Sequence, residues 1–167
     1  MMLQNKQVEQ PEILPIDHEL RLRRFNYEYS FALEWYQDEE TVQLVDGLDA
    51  PVYDYNKLTK MYEYLDKMGE LYFIEMLENN IYRPIGDVTF TKEDLPIVIG
   101  DKNYRSKGIG KRVLKALIER GKELGYKDIK VREIYTYNTA SQKLFESVGF
   151  KKAGNTNKGY TYIYNIR

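Results

Sequence analysis

The 167-residue sequence predicts an α+β domain with a mixed, largely antiparallel central sheet flanked by helices. Three observations carry this. Three strand-like runs, LYFIEML (71–77), IGDVTF (85–90) and LPIVIG (95–100), follow one another with only turns between them, which breaks the alternation of a doubly wound sheet. Two amphipathic helical patterns then alternate with strands in the second half. The length suits one domain, large enough to bury about two-thirds of the surface its unfolded chain exposes.

Residues 1–17, with Pro11 and Pro15, read as a tail, and 18–167 as one domain. LRLRRF (20–25) alternates apolar and basic residues and predicts the first strand. Tyr29 to Val45 carries Phe31, Leu33, Trp35 and Tyr36 and predicts a helix, ended by DGLDAP. Leu58, Met61, Tyr62 and Leu65 predict a second helix that stops at Gly69. The three strands follow, with turns at NNIYRP and TKED. Pro96 cannot donate to a ladder, so its strand belongs at an edge or a bulge. Ile109, Val113, Leu114, Leu117, Ile118 and Leu124 form the stripe of the next helix, ended near Gly125. DIKVREIYT (128–136) is a strand, NTASQKLFESVGF (138–150) a short helix, and YTYIYNI (160–166) the last strand.

Composition excludes several chemistries. The chain has no cysteine, hence no disulfide, zinc–thiolate site or cysteine nucleophile. The single histidine, His18, leaves little for a transition-metal site, and no metal is expected. No apolar run approaches the roughly 18 residues of a membrane span. The start shows no signal peptide, so a cytoplasmic location is expected. The net charge of −1 hides a division: residues 1–80 hold 7 Lys+Arg against 17 Asp+Glu, and 81–167 hold 18 against 9. This asymmetry fits two ligand sites of opposite polarity, or two halves that neutralise each other. The basic half is not a Lys/Arg stripe with a nucleic-acid motif, and no nucleic-acid partner is expected.

The chemistry concentrates in YRSKGIGKRV (104–113). A helix start leaves N–H groups unpaired and carries partial positive charge. Glycines allow a tight bend and close approach, and Arg105 and Lys107 add formal charge. Together these make an anion cradle suited to phosphate. A Walker loop is excluded because Arg105 and Arg112 hold its glycine and Ser/Thr places. A dinucleotide fingerprint is excluded by Val113 at its third glycine. A glycine-softened turn that binds nothing is the alternative for the GxG alone.

Arg105-Ser106-Lys107-Gly108-Ile109-Gly110 resembles the Arg/Gln-x-x-Gly-x-Gly/Ala signature of the GCN5-related N-acetyltransferases. NTASQKLFESVGF resembles that family's Asn-x-x-Ala/Ser helix, at the family's spacing, and the element order follows the fold over about residues 18–165. The early segment is similar to the ribosomal-protein N-terminal and aminoglycoside 6′-acetyltransferase branches.

The resemblance implies an acetyl-CoA-dependent N-acetyltransferase. Backbone N–H groups from about Ser106 through Lys107, Gly108, Ile109 and Gly110 to Lys111 would bind the pyrophosphate, with Arg105 beside them. The strand Ile97–Val98–Ile99 would splay from 131–135. Val98 and Ile99 would offer N–H groups to the thioester oxygen. Asn138, also readable as a helix cap, would contact the pantetheine arm. The family's usual tyrosine acid is here Phe145, counted among the cofactor-contacting residues. Ser141 becomes the acid candidate, with Tyr135 and Tyr137 as weaker substitutes. Asp94 is the base candidate, with Asp87 and Glu75 as rivals. For each, a carboxylate that only meets solvent is the alternative. Asp38, Glu39, Glu40, Asp46, Asp49 and Asp54 mark an acidic lip, which predicts a cationic small-molecule or peptide amine acceptor. The chain would act as a monomer or homodimer. A non-catalytic acyl-CoA-binding module is the competing reading.

Overall fold

The computed structural model describes residues 8–167; the part of the expected tail in residues 1–7 lies outside the described residues. The strands are β1 (Ile13–Pro15), β2 (Leu20–Arg24), β3 (Glu70–Glu78), β4 (Ile81–Phe90), β5 (Ile97–Ile99), β6 (Asp128–Tyr135), β7 (Lys151–Asn155) and β8 (Gly159–Asn165). The helices are α1 (Leu33–Tyr36), α2 (Glu39–Asp46), α3 (Tyr55–Met68), α4 (Ile109–Glu123) and α5 (Thr139–Ser147). One sheet runs in the order β1-β2-β3-β4-β5 and the other β6-β8-β7. Every pairing is antiparallel.

The α+β expectation holds, and four local differences have physical causes. The expected helix 29–45 is broken. Asp38 leaves the helical region, and its carboxylate accepts from Thr41 N (3.0 Å) and Thr41 Oγ1 (2.9 Å). A capping aspartate thus competes with helix continuation and starts α2 afresh. The 79–84 turn shrinks to Asn79–Asn80, both at positive φ (50° and 65°), as a tight hairpin requires. Pro84 is then absorbed into β4 opposite Glu75, at a register shift in β3–β4, where a missing N–H is tolerated. Within the expected tail, Ile13–Pro15 pair with Arg21–Arg23, and Arg112 Nε donates to Asp17 (2.8 Å). β7 (KKAGN) is exposed along its whole length; an outer strand with neither face buried carries no alternation to read.

Two apolar clusters flank the first sheet. Leu20, Leu22, Ile74 and Val88 pack with Val113, Leu114 and Leu117 of α4, a cluster that also takes Ile129 and Val131 of β6. Leu71 and Phe73 pack on the other side with Trp35, Tyr36, Leu58 and Tyr62 of α1 and α3. Pro96 sits just before β5, the outer strand of its sheet; its nitrogen is turned toward β4 beside Thr89, and the strand begins only after the missing donor.

Candidate active site

β5 and β6 share no ladder. Among the described residues, β6 is stitched to the segment just before β5, where the two strands begin to part. Lys130 N donates to Lys92 O (2.9 Å), and Arg132 N donates to Asp94 Oδ1 (3.1 Å), which also accepts from Leu95 N (3.0 Å). Beyond that point the sheets diverge and a channel opens.

At one end of the channel lies the glycine turn. Ser106 (φ 59°) and Gly108 (φ 76°) both adopt left-handed backbone. Gly108 is the N-cap of α4 and no side chain caps that helix. The first bond back to the turn comes from Arg112 N to Gly108 O, so the N–H groups of Ile109, Gly110 and Lys111 have no helical partner. A Cβ on Gly108 would meet nothing within 4 Å. Open space in front of unpaired donors, at the positive end of a helix, suits a phosphate group. Gly110 has a different reason. Its Cβ would come to 2.9 Å from Leu144 Cδ2, so this glycine serves the packing of α4 on α5.

A cavity of about 480 Å³ runs from this turn along β5 to Asn138 and Ser141. Lys107 stays outside it, exposed, with Nζ 5.7 Å from the Tyr104 ring. Arg105 borders the cavity, but its side chain is engaged. Nε donates to Ile99 O (2.8 Å) and Nη2 to Thr41 Oγ1 (2.8 Å). Thr41 is 1% exposed, so the guanidinium ties the turn to α2.

β5 pairs in register Asp87↔Val98 and Val88↔Ile97, and Thr89 N donates to Pro96 O. Hydrogen-bonded and non-bonded pairs alternate in such a ladder. Val98 N–H therefore faces β4, while those of Ile97 and Ile99 face the split. Of the two donors expected for the thioester oxygen, Ile99 N–H faces the split and Val98 N–H does not; Val98 instead lies across the ladder from Asp87.

A second cavity of about 380 Å³ adjoins the first, sharing Leu44, Val45, Ile97, Val98, Asn138 and Ser141 with it. Four carboxylates, Asp46, Asp87, Asp94 and Glu133, border it against one cation, Arg132. Of the six acids expected in the lip, only Asp46 reaches this cavity. Asp38 caps α2 and pairs with Lys102 (2.8 Å), which holds its carboxyl down at about 2. Asp54 caps α3 through Lys57 N (2.8 Å).

The other expected residues take distinct places. Asn138 Oδ1 accepts from Ser141 N (3.1 Å), so Asn138 does cap α5, and both residues border the two cavities. Phe145 is 2% exposed and borders the second cavity. Tyr135 borders it too, and burial pushes its hydroxyl up. Tyr137 stacks on Tyr135 (5.3 Å between centroids) and donates to Gln43 O (2.5 Å). Glu75 is away from both cavities, with its oxygens on Arg21 Nε (2.9 Å) and Arg23 Nε (2.8 Å). Asp87 is 2% exposed, and its Oδ2 accepts from Tyr36 OH (2.6 Å) and Tyr62 OH (2.9 Å). Burial raises its carboxyl to about 6, against the opposing pull of those hydroxyls. The convergence of the Tyr36 and Tyr62 hydroxyls needs α1, α3 and β4 brought together.

A sheet split at an outer strand, opening onto an uncapped helix start, is the architecture of acyl-CoA N-acyltransferases. The chain belongs to the acetyltransferase (GNAT) family, whose pattern matches residues 18–150. Over 102 residues, 57% of this chain, it is 36% identical to an uncharacterized protein of Methanocaldococcus jannaschii, and the match spans 20% of that relative. A solved domain from Methanocaldococcus jannaschii has the same fold, with a TM-score of 0.78 and 22% identity over 89% of this chain and 99% of that one. Spermidine N-acetyltransferase from Vibrio cholerae, solved with CoA and spermine, superposes with a TM-score of 0.70 and 15% identity, covering 89% and 96% of the two chains. Among the described residues, no helix is long and apolar enough to cross a membrane.

Proposed function

We propose that the protein transfers an acetyl group from acetyl-CoA to a cationic primary amine, by direct attack in a ternary complex. One observation carries this reading: a single channel joins an anion-suited turn at α4 to a cavity bordered by four carboxylates and one cation. Opposite polarities at the two ends suit a polyanionic donor and a positively charged acceptor. With no cysteine in the chain, a thioester intermediate on the protein is excluded. The unpaired N–H groups of Ile109, Gly110 and Lys111 would hold phosphate oxygens, and Ile99 N–H would face the thioester oxygen. Ser141, between the two cavities, would give the departing thiolate its proton. The Vibrio relative, by its name and bound spermine, handles a polyamine, which agrees with this acceptor class.

The test is release of free CoA thiol from acetyl-CoA with amines of matched size, cationic and neutral, among them spermidine and an aminoglycoside. Cationic amines should react faster, and their advantage should shrink above roughly 0.1 M ionic strength, where the Debye length falls to about 10 Å. Equal rates for neutral amines without a salt effect would reject the cationic acceptor while keeping the transferase. Ser141→Ala should lower kcat by about 100-fold, the low end for proton transfer in a transition state, with acetyl-CoA affinity little changed. Phe145→Tyr, which places a phenol where the family usually has one, should restore part of that loss. Phe145 itself favours the second reading, a CoA-binding module without chemistry; CoA binding without thiol release from any amine would establish it.

A further inference from the structure

Resting on the transferase reading, we propose that Asp87 is the catalytic base that takes the proton from the acceptor ammonium, with Tyr36 and Tyr62 as its positioning residues. Asp87 stands directly across the ladder from Val98, so its carboxylate lies beside the strand that edges the donor channel, and it borders the acceptor cavity. Both tyrosine hydroxyls converge on Oδ2, leaving Oδ1 without a protein donor among the described residues. Asp94 has its Oδ1 committed to Leu95 N and Arg132 N at the point where the sheets part. Glu75 is spent on two guanidiniums.

The groups facing Asp87 come from each packed element: Tyr36 from α1, Tyr62 from α3, and Tyr53 from the α2–α3 connection, whose ring stacks on Tyr36 at 5.0 Å while its hydroxyl donates to Asp46 (2.6 Å). On the flanking strands the register partners are Phe73 and Val98, which do not titrate. Asp46, Asp94, Glu133 and Arg132 border the same cavity. A carboxyl raised by burial to about 6 is ionised at neutral pH and still basic enough to accept a proton, the balance general-base catalysis favours.

The step balances without further reagents. Asp87 takes one proton from R–NH3⁺. The freed nitrogen pair attacks the acetyl carbon, the C–N bond forms and the C–S bond breaks. The thiolate leaves with the sulfur pair and takes a proton from the Ser141 hydroxyl, which recovers one as the second nitrogen proton, yielding amide and CoA thiol. Asp87 then returns its proton to solvent.

The experiment is steady-state CoA thiol release with spermidine and the rest of the amine panel, measured against pH for the parent, Asp87→Asn, Asp94→Asn, Tyr36→Phe and Tyr62→Phe. Asp87→Asn should lower kcat at least about 100-fold while acetyl-CoA binding, measured directly, changes less than about threefold. The parent rate should rise with pH through an apparent pKa near 6. Tyr36→Phe and Tyr62→Phe should move that limb to higher pH, because each removes a hydrogen bond that favours the carboxylate. An Asp94→Asn loss deeper than that of Asp87→Asn would overturn the assignment, as would an acid limb unmoved in both phenylalanine variants. A parent that binds acetyl-CoA but releases no thiol with any amine would overturn the transferase reading and this inference with it; release that survives Asp87→Asn would overturn this inference alone.

Discussion

Gly108→Val is expected to weaken CoA binding by about 10–150-fold in calorimetric titration. The residue sits at φ 76°, in the left-handed region that costs an ordinary L residue about 1–2 kcal/mol. A Cβ there clashes with no protein atom. The two valine methyls would instead fill the space in front of the unpaired N–H groups of α4. Losing one charge-assisted contact of about 1.5–3 kcal/mol gives that range in affinity. The strain itself should lower Tm by only about 2–8 °C, at about 2–4 °C per kcal/mol for a chain of this size. An unchanged CoA affinity would remove the phosphate from this turn.

The second large effect concerns stability. Arg120 is 4% exposed, and Glu70 receives two of its bonds, from Nε (3.0 Å) and Nη2 (2.7 Å). Tyr72 OH also donates to Glu70 (2.8 Å). Glu70→Ala leaves the guanidinium with Glu123 and Glu9 O, and strips the phenol of its acceptor. Breaking a buried pair from one side costs about 3–5 kcal/mol, so Tm should fall by about 6–20 °C in differential scanning calorimetry. The paired change Glu70→Leu with Arg120→Met should recover the share of that loss that comes from the half-broken ion pair, while Tyr72 OH stays without its acceptor. A single variant that melts within about 2 °C of the parent would refute this account.

The legible parts of the chain were those where local pattern and burial coincide. α4 shows its stripe because one face packs on the sheet, and the glycine turn shows because special backbone needs special residues. Pro96 marked its strand as belonging at an edge or a bulge because a missing donor has few tolerated places. The hidden parts depend on partners far along the chain. Thr41 gives no sign that Arg105 will bind it 64 residues later. Asp87 reads as one of three candidate carboxylates until Tyr36 and Tyr62, 51 and 25 residues away, converge on its Oδ2. The acids of the expected lip take separate places: Asp46 borders the second cavity and Glu40 the first. Asp38 and Asp54 are capping residues, and their chemistry is spent on backbone N–H groups.

α2 is a beam pinned at its first turn and at its middle across the split. Arg105 and Lys102 hold its first turn through Thr41, Asp38 and Glu40, and Tyr137, from beyond β6, holds Gln43. Its Leu44 and Val45 border both cavities. Past Asp94 no strand pairing among the described residues joins the sheets, so these pins act beside the shared apolar core in shaping the channel. A ligand that draws Arg105 away from Thr41 slackens the same beam that shapes the far cavity. Were binding at the turn to draw Arg105 off in this way, the two ends would be coupled, and by linkage each ligand would alter the other's affinity by the same factor.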